Sequence, residues 1–269
     1  KLKKILFPIF LFTAVSVSIG TYAYTISEKL APYHLTYVML SMFIMMVTIM
    51  TFIEGIYKSQ GILFEAKDND LLFSLPIKRS QILFVRICKL LIFQYLYNLM
   101  FLLPAYIVFI YFEHPTISFY LLSILMVILI PIIPTVISSI LGYLIKLFAS
   151  KFKAKKIIQT ILSSILFLGI FYVSMNLDSF IQDIASKATS IQDILTSIYY
   201  PLGLYIDLIN KFDVLQFIKL LLVNVIPFIL FIYFGGKAYF SIVFDSKETS
   251  INKKEKYFLE IRIRYFSLL

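Results

Sequence analysis

The chain has 269 residues, of which 60% are hydrophobic and 15% charged, whereas a soluble domain is about half apolar and about a quarter charged. One soluble core cannot hide that surplus, so lipid must cover much of it. The lone Cys88 excludes an internal disulfide framework, and the two histidines, His34 and His114, sit in separate short connections that suggest no zinc site.

Six apolar stretches are long enough to cross about 30 Å of hydrocarbon as helices. In chain order they are Ile5–Thr25, Leu35–Tyr57, Ile87–Phe112, Phe119–Leu147, Ile157–Met175 and Phe217–Phe240. All are continuously apolar, unlike the alternating strands of a membrane barrel. The expected fold class is therefore all-α: a polytopic membrane helix bundle of about six spans. The chain begins at Lys1 and not Met, and is expected to be a piece of a longer protein. Lys1, Lys3 and Lys4 before the first stretch could introduce a signal peptide with a weak cleavage site at Thr21-Tyr-Ala23. An uncleaved span is the better reading, because the apolar run continues through a full membrane thickness.

Charge orients the spans. With the N-terminus in the cytoplasm, all but four of the 25 basic residues (Lys29, Lys187, Lys211 and Lys219) fall inside, as the positive-inside rule requires. The outer segments carry Glu28, Glu113, Asp178, Asp183, Asp193, Asp207 and Asp213 and are net negative. The net charge of +10 thus reflects topology at a lipid bilayer, not nucleic-acid binding. Both termini are expected in the cytoplasm, and the protein in the cell membrane. Residues 1–245 read as the transmembrane domain, and residues 246–269 as a charged cytoplasmic tail or linker.

Two connections are longer than a turn. In the cytoplasmic one, Phe64, Leu71, Leu72 and Leu75 share one helical face, with Asp68 and Asp70 beside it. Pro76 interrupts the pattern, and Ser80 can cap a helix that continues into span three. This is either an amphipathic helix resting on the membrane surface or a docking element for a cytoplasmic partner. In the external connection, Ser179-Phe-Ile-Gln182 and Ser190-Ile-Gln-Asp193 resemble capping boxes, and Leu202–Asn210 is apolar again. These short pieces suit interfacial or re-entrant helices.

Catalytic signatures are missing. The one Gly-Lys pair, Gly236-Lys237, precedes Ala238 and makes no P-loop, and neither His-Glu-x-x-His nor Gly-x-Ser-x-Gly occurs. No enzymatic activity is expected of this chain. Glu54 is the acid nearest the hydrocarbon, placed to reach interfacial water or to pair with Lys58. Gln94, Asn98 and Asn224 read as polar glue between helices. Pro104, Pro131, Pro134 and Pro227 can kink spans and free backbone groups that neighbours must satisfy.

The segment Leu63-Phe-Glu-Ala-Lys-Asp-Asn-Asp-Leu-Leu-Phe-Ser-Leu-Pro-Ile-Lys-Arg79 resembles the ATP-binding-cassette type-two exporter permeases, in the form common in low-GC Gram-positive bacteria. Lys67, Asp68, Asp70, Leu71, Leu72, Ser74, Leu75, Pro76 and Ile77 match that family's phrase after its second span. The resemblance implies six spans, external helices between spans five and six, and a coupling helix in this loop that docks on an ATPase subunit. It further implies that ATP and Mg are held by that partner and not by this chain, and that a second permease half or a homodimer partner completes the pore. Phe64, Asp68, Asp70, Leu71, Leu72, Leu75 and Pro76 would then form the docking element. The elbow helix expected before span one is missing or cut off, and residues 246–269 look like a linker toward a second half. A non-transporting membrane scaffold or an immunity protein is the alternative. No substrate-binding residue can be named.

Overall fold

A computed structural model describes residues 2–64, 68, 72, 75–149, 164, 168, 187 and 190–237. The described residues are helical almost throughout and hold no strand. The helices are α1 (Leu2–Leu30), α2 (Thr36–Ser59), α3 (Arg79–Glu113), α4 (Ile117–Leu129), α5 (Ile132–Ala149), α6 (Tyr200–Asn210) and α7 (Val214–Lys237). Residues 190–198 form a further helical segment before α6. Five stretches are long and apolar enough to cross a membrane: Phe10–Tyr33, Thr36–Leu63, Arg79–Glu113, Ile117–Leu144 and Val214–Lys237. They correspond to five of the six expected spans, and the protein is an all-α polytopic membrane helix bundle. Of the remaining expected span, Ile157–Met175, only residues 164 and 168 are described, and the tail 246–269 and the capping sequence at Ser179 lie outside the described residues.

α3 is the spine. Its 35 residues make a rod of roughly 50 Å at 1.5 Å per residue, longer than the hydrocarbon is thick, so one end must stand in the interfacial region. It packs against α1, α2, α4 and α5, and α2 packs against both α3 and α5. The helix starts at Arg79, where the Gln81 side chain accepts from the Lys78 backbone N–H at 3.2 Å. Ser80 therefore lies in the first turn and not at the cap, because Lys78 still has extended backbone and the helix begins two residues earlier than a Ser80 cap would allow.

Prolines set the internal geometry. A helical proline leaves the carbonyl four residues earlier without its donor, and in lipid that carbonyl needs another. Pro104 frees Met100, whose carbonyl accepts from the Ser16 hydroxyl of α1 at 3.2 Å. Pro134 frees Ile130, whose carbonyl accepts from the Tyr199 hydroxyl at 3.3 Å. Span four breaks at Ile130–Pro131 between α4 and α5, where the sequence carries its proline pair.

The largest core cluster lies toward one end of the bundle. Phe119, Leu122 and Met126 of α4 and Leu102, Ala105 and Phe109 of α3 meet Leu202, Leu204 and Tyr205 of α6 there. The 11-residue α6 is too short to span and lies instead against α2 and α4. Its Pro201 sits in the first turn, where a missing N–H costs nothing.

Candidate functional site

The root of the connection between α2 and α3 is the candidate site. α2 does not stop at Ser59 but passes into a π-helical turn, Gln60–Phe64, a form concentrated at functional sites. The turn carries Leu63, which is fully buried with Ile82, Leu83, Ile87 and Leu90 of α3. The chain then returns toward α3. The Leu72 N–H donates to the Asp68 carbonyl at 3.0 Å, one α-type turn, and the Ile77 N–H donates to the Leu75 carbonyl at 2.7 Å across Pro76. The second bond is a tight three-residue turn, with the proline at the centre where its fixed φ fits.

Arg86 closes this connection. Its guanidinium lies within α3, almost fully buried, and donates from one Nη to Asp68 Oδ1 at 2.5 Å. A buried guanidinium requires such a partner, since an unpaired charge away from water is very costly. The hydrogen bond from Arg86 holds the Asp68 carboxyl below the usual carboxylate range, although the Asp68 side chain is itself largely exposed. The ion pair bridges 18 residues and pins the returning segment to the base of α3. A second contact lies nearly two turns below. A side chain at Gly236 of α7 would meet the Ser80 backbone at 2.7 Å, so only glycine lets α7 come this close.

The sequence-derived docking residues are placed unequally. Leu72 is half-buried and packs on the cluster of Leu63, Leu83 and Ile87, facing its own bundle. Leu75 and Pro76 are exposed. Asp68 is engaged by Arg86. The Phe64 side chain, Asp70 and Leu71 lie outside the described residues. Glu54 Oε1 lies 2.5 Å from Lys58 Nζ, one helical turn on, with both side chains about one-third exposed, and Lys58 sits over the Phe93 ring.

A second set of polar groups lies deeper in the bundle. Thr51 donates to Asn98 Oδ1 at 3.1 Å, and Gln94 Nε2 reaches the Thr51 carbonyl at 3.4 Å. Thr135 Oγ1 is 2.5 Å from both Gln94 Oε1 and the Pro131 carbonyl, so its single proton serves two acceptors. Beside them α2 and α5 approach through small residues: a side chain at Gly55 would collide with Ser138, and one at Gly142 with Ser59. Both pairs recur at a spacing of four, Gly55 with Ser59 and Ser138 with Gly142, the pattern that lets membrane helices touch through their backbones. Among the described residues no group of acidic, cysteine or histidine side chains could hold a metal.

The family model described as a membrane protein of 12 TMs matches residues 2–269. The chain belongs to this family. No curated protein and no solved structure matches it. As a member of the twelve-span family, it is a multi-span membrane protein, in keeping with its five described spans.

Asp68 is among the site residues read from sequence, but its partner Arg86 and the α2–α5 seam are not. The seam left a signal in the four-residue spacing of small residues on spans two and four. The ion pair left only a weak one, an arginine seven residues after the start of the helix, with Lys89 in the next turn.

Proposed function

We propose that this chain is the membrane-spanning subunit of an ATP-driven exporter of the binding-cassette type. The ATPase sits on a separate polypeptide that carries ATP and Mg, and the connection between α2 and α3 receives its movement. The observation that carries this reading is the Asp68–Arg86 bond. Part of the segment that resembles a coupling helix is fastened to the base of the longest span, so a push on the loop would reach α3 directly. The exposed Leu75 and Pro76 would face the ATPase. The orientation follows from the basic residues: both termini and this loop in the cytoplasm of a cell-membrane protein, α6 outside. A family described by twelve spans is consistent with two six-span halves, supplied by a longer chain or by a homodimer.

Leu75→Asp tests this reading more cleanly than Leu72→Asp, because Leu72 also packs on its own bundle. Full-length protein purified from its native membranes should bring an ATPase subunit with it. Leu75→Asp should lower that recovery at least tenfold at equal membrane expression, since a charge set against an apolar groove costs several kcal/mol. Equal recovery would sink the docking assignment, and no ATPase with wild type would sink the exporter reading.

A further inference from the structure

A cavity of about 470 Å³ opens between α5 and α7, above the roots of α2 and α3. Its wall is aliphatic and aromatic, with Leu63, Leu83, Ile140, Leu230 and Phe231 contributing, and no described lining residue is charged. At its rim Ile140 and Leu230 are exposed, which leaves it accessible sideways from the hydrocarbon. The size and the apolar wall are those of a small-molecule site, in which a few placed polar groups fix the ligand. Apolar cavities of this kind exclude water and accept apolar guests.

One such polar group is present. Ser139 lines the cavity and is 1% exposed, yet its hydroxyl has no hydrogen-bond partner among the described residues. Its neighbours behave differently. Thr135 bonds back to the Pro131 carbonyl and Ser138 to the Thr135 carbonyl, the usual recourse of hydroxyls in a membrane helix. Tyr143, the other lining hydroxyl, is not without a partner. An unpaired hydroxyl buried in the wall of an uncharged cavity within lipid is costly unless something in that cavity bonds to it. The π-helical turn of α2 adds an independent sign, since it carries Leu63 into the same wall.

We propose that this cavity binds a neutral, membrane-dissolved amphiphile, whose apolar body lies against Ile140 and Phe231 and whose single hydrogen-bonding group meets Ser139 Oγ. Leu63 and Leu83 belong both to this wall and to the cluster on which Leu72 rests. Occupancy is therefore felt at the seat of the α2–α3 connection. The inference does not depend on the exporter reading, because it needs neither an ATPase nor a transported cargo.

The test uses the full chain in lipid nanodiscs and a diazirine-bearing octanol as photolabel, with adducts located by mass spectrometry. Labelling should concentrate on α5 and α7 residues of the cavity. Plain octanol should compete, and ionised octanoate should not. Ile140→Trp, which fills the space, should remove the adduct, with Val136→Phe as the second variant if the first fails to insert. Ser139→Ala should weaken octanol competition about fivefold, the worth of one hydrogen bond, without lowering the melting temperature. Adducts scattered over the lipid-facing helices, adducts on residues 157–175, equal competition by octanoate, or unchanged labelling of the filled variants would each overturn the proposal.

Discussion

Two buried contacts hold this bundle by different means. Where α2 meets α5, the partners are Gly55, Ser59, Ser138 and Gly142, flanked by the hydrogen bonds of Thr51, Gln94, Asn98 and Thr135. Where α6 lies on α4 and α2, the partners are Leu202, Leu204, Tyr205, Phe119 and Leu122, with a hydroxyl pair, Tyr205 to Ser123 at 2.8 Å, between α6 and α4. The difference follows from the surroundings. Within lipid, apolar side chains gain nothing by leaving hydrocarbon for one another, so helices associate through close backbone approach and hydrogen bonds. A short segment that does not span has water as its alternative, and burial of its apolar face drives it down.

If this contrast holds, the seam should tolerate added bulk least. Gly55→Leu must displace Ser138 or part the two helices, a cost near the upper end for overpacking, about 3 kcal/mol. Thermal unfolding in detergent should show a large loss, and Ser138→Gly in the same chain should recover part of it. No recovery would mean that the small residues do not set the approach. Under α6, where area dominates, removing one polar contact should matter less. Tyr205→Phe keeps the ring and loses the bond to Ser123, a change of about 1 kcal/mol and roughly 2–4 °C in melting temperature. A loss as large as that of Gly55→Leu would erase the distinction.

The Asp68–Arg86 pair supplies the smallest effect and a control outside both contacts. Asp68 is held below its ordinary value of about 3.9. Its contribution is therefore complete above that value and fades as pH falls through the lowered one. Hydrogen exchange at Leu72 and Ile77 should be constant between pH 8 and pH 5 after correction for intrinsic rates, and should rise only below about pH 4. Asp68→Asn should raise it at neutral pH. A change centred near pH 6 would assign the loop's attachment to another group.

Much of this architecture was legible in the chain. Apolar runs gave five of the spans now described, and the proline pair at Pro131 and Pro134 marked the break in span four. The contacts of Glu54 with Lys58 and of Thr135 with Pro131 are local, four residues apart, and such spacing is visible on a helix. What stayed hidden is what depends on a third dimension. Asp68 and Arg86 lie 18 residues apart with a turn between them, and helical periodicity says nothing about pairs of that kind. Helical periodicity places Leu72 with Leu75 on one outward face. The return of the chain toward α3 turns Leu72 onto its own bundle and leaves Leu75 exposed. Tyr199 gave no hint that it would cap the carbonyl freed by Pro134, because that requires a segment 65 residues later in the chain to lie across span four.

The two tight connections have a mechanical consequence. α1 turns into α2, and α3 into α4, through a few residues only, each helix end closed by a histidine in left-handed backbone, His34 at φ 55° and His114 at φ 45°. At that same end the Thr36 hydroxyl of α2 bonds to the Glu113 carboxylate of α3, and the Tyr24 ring of α1 packs against Tyr111 and Phe112 of α3. The first three long helices are thus riveted where α1 ends, α2 begins and α3 ends. The opposite ends of α2 and α3 are joined by the longer run from the π turn to Arg79. Such a frame works like tongs pivoted at one end: a small angular give near the rivets becomes the widest excursion at the far tips, where α2 and α3 hand the chain to each other.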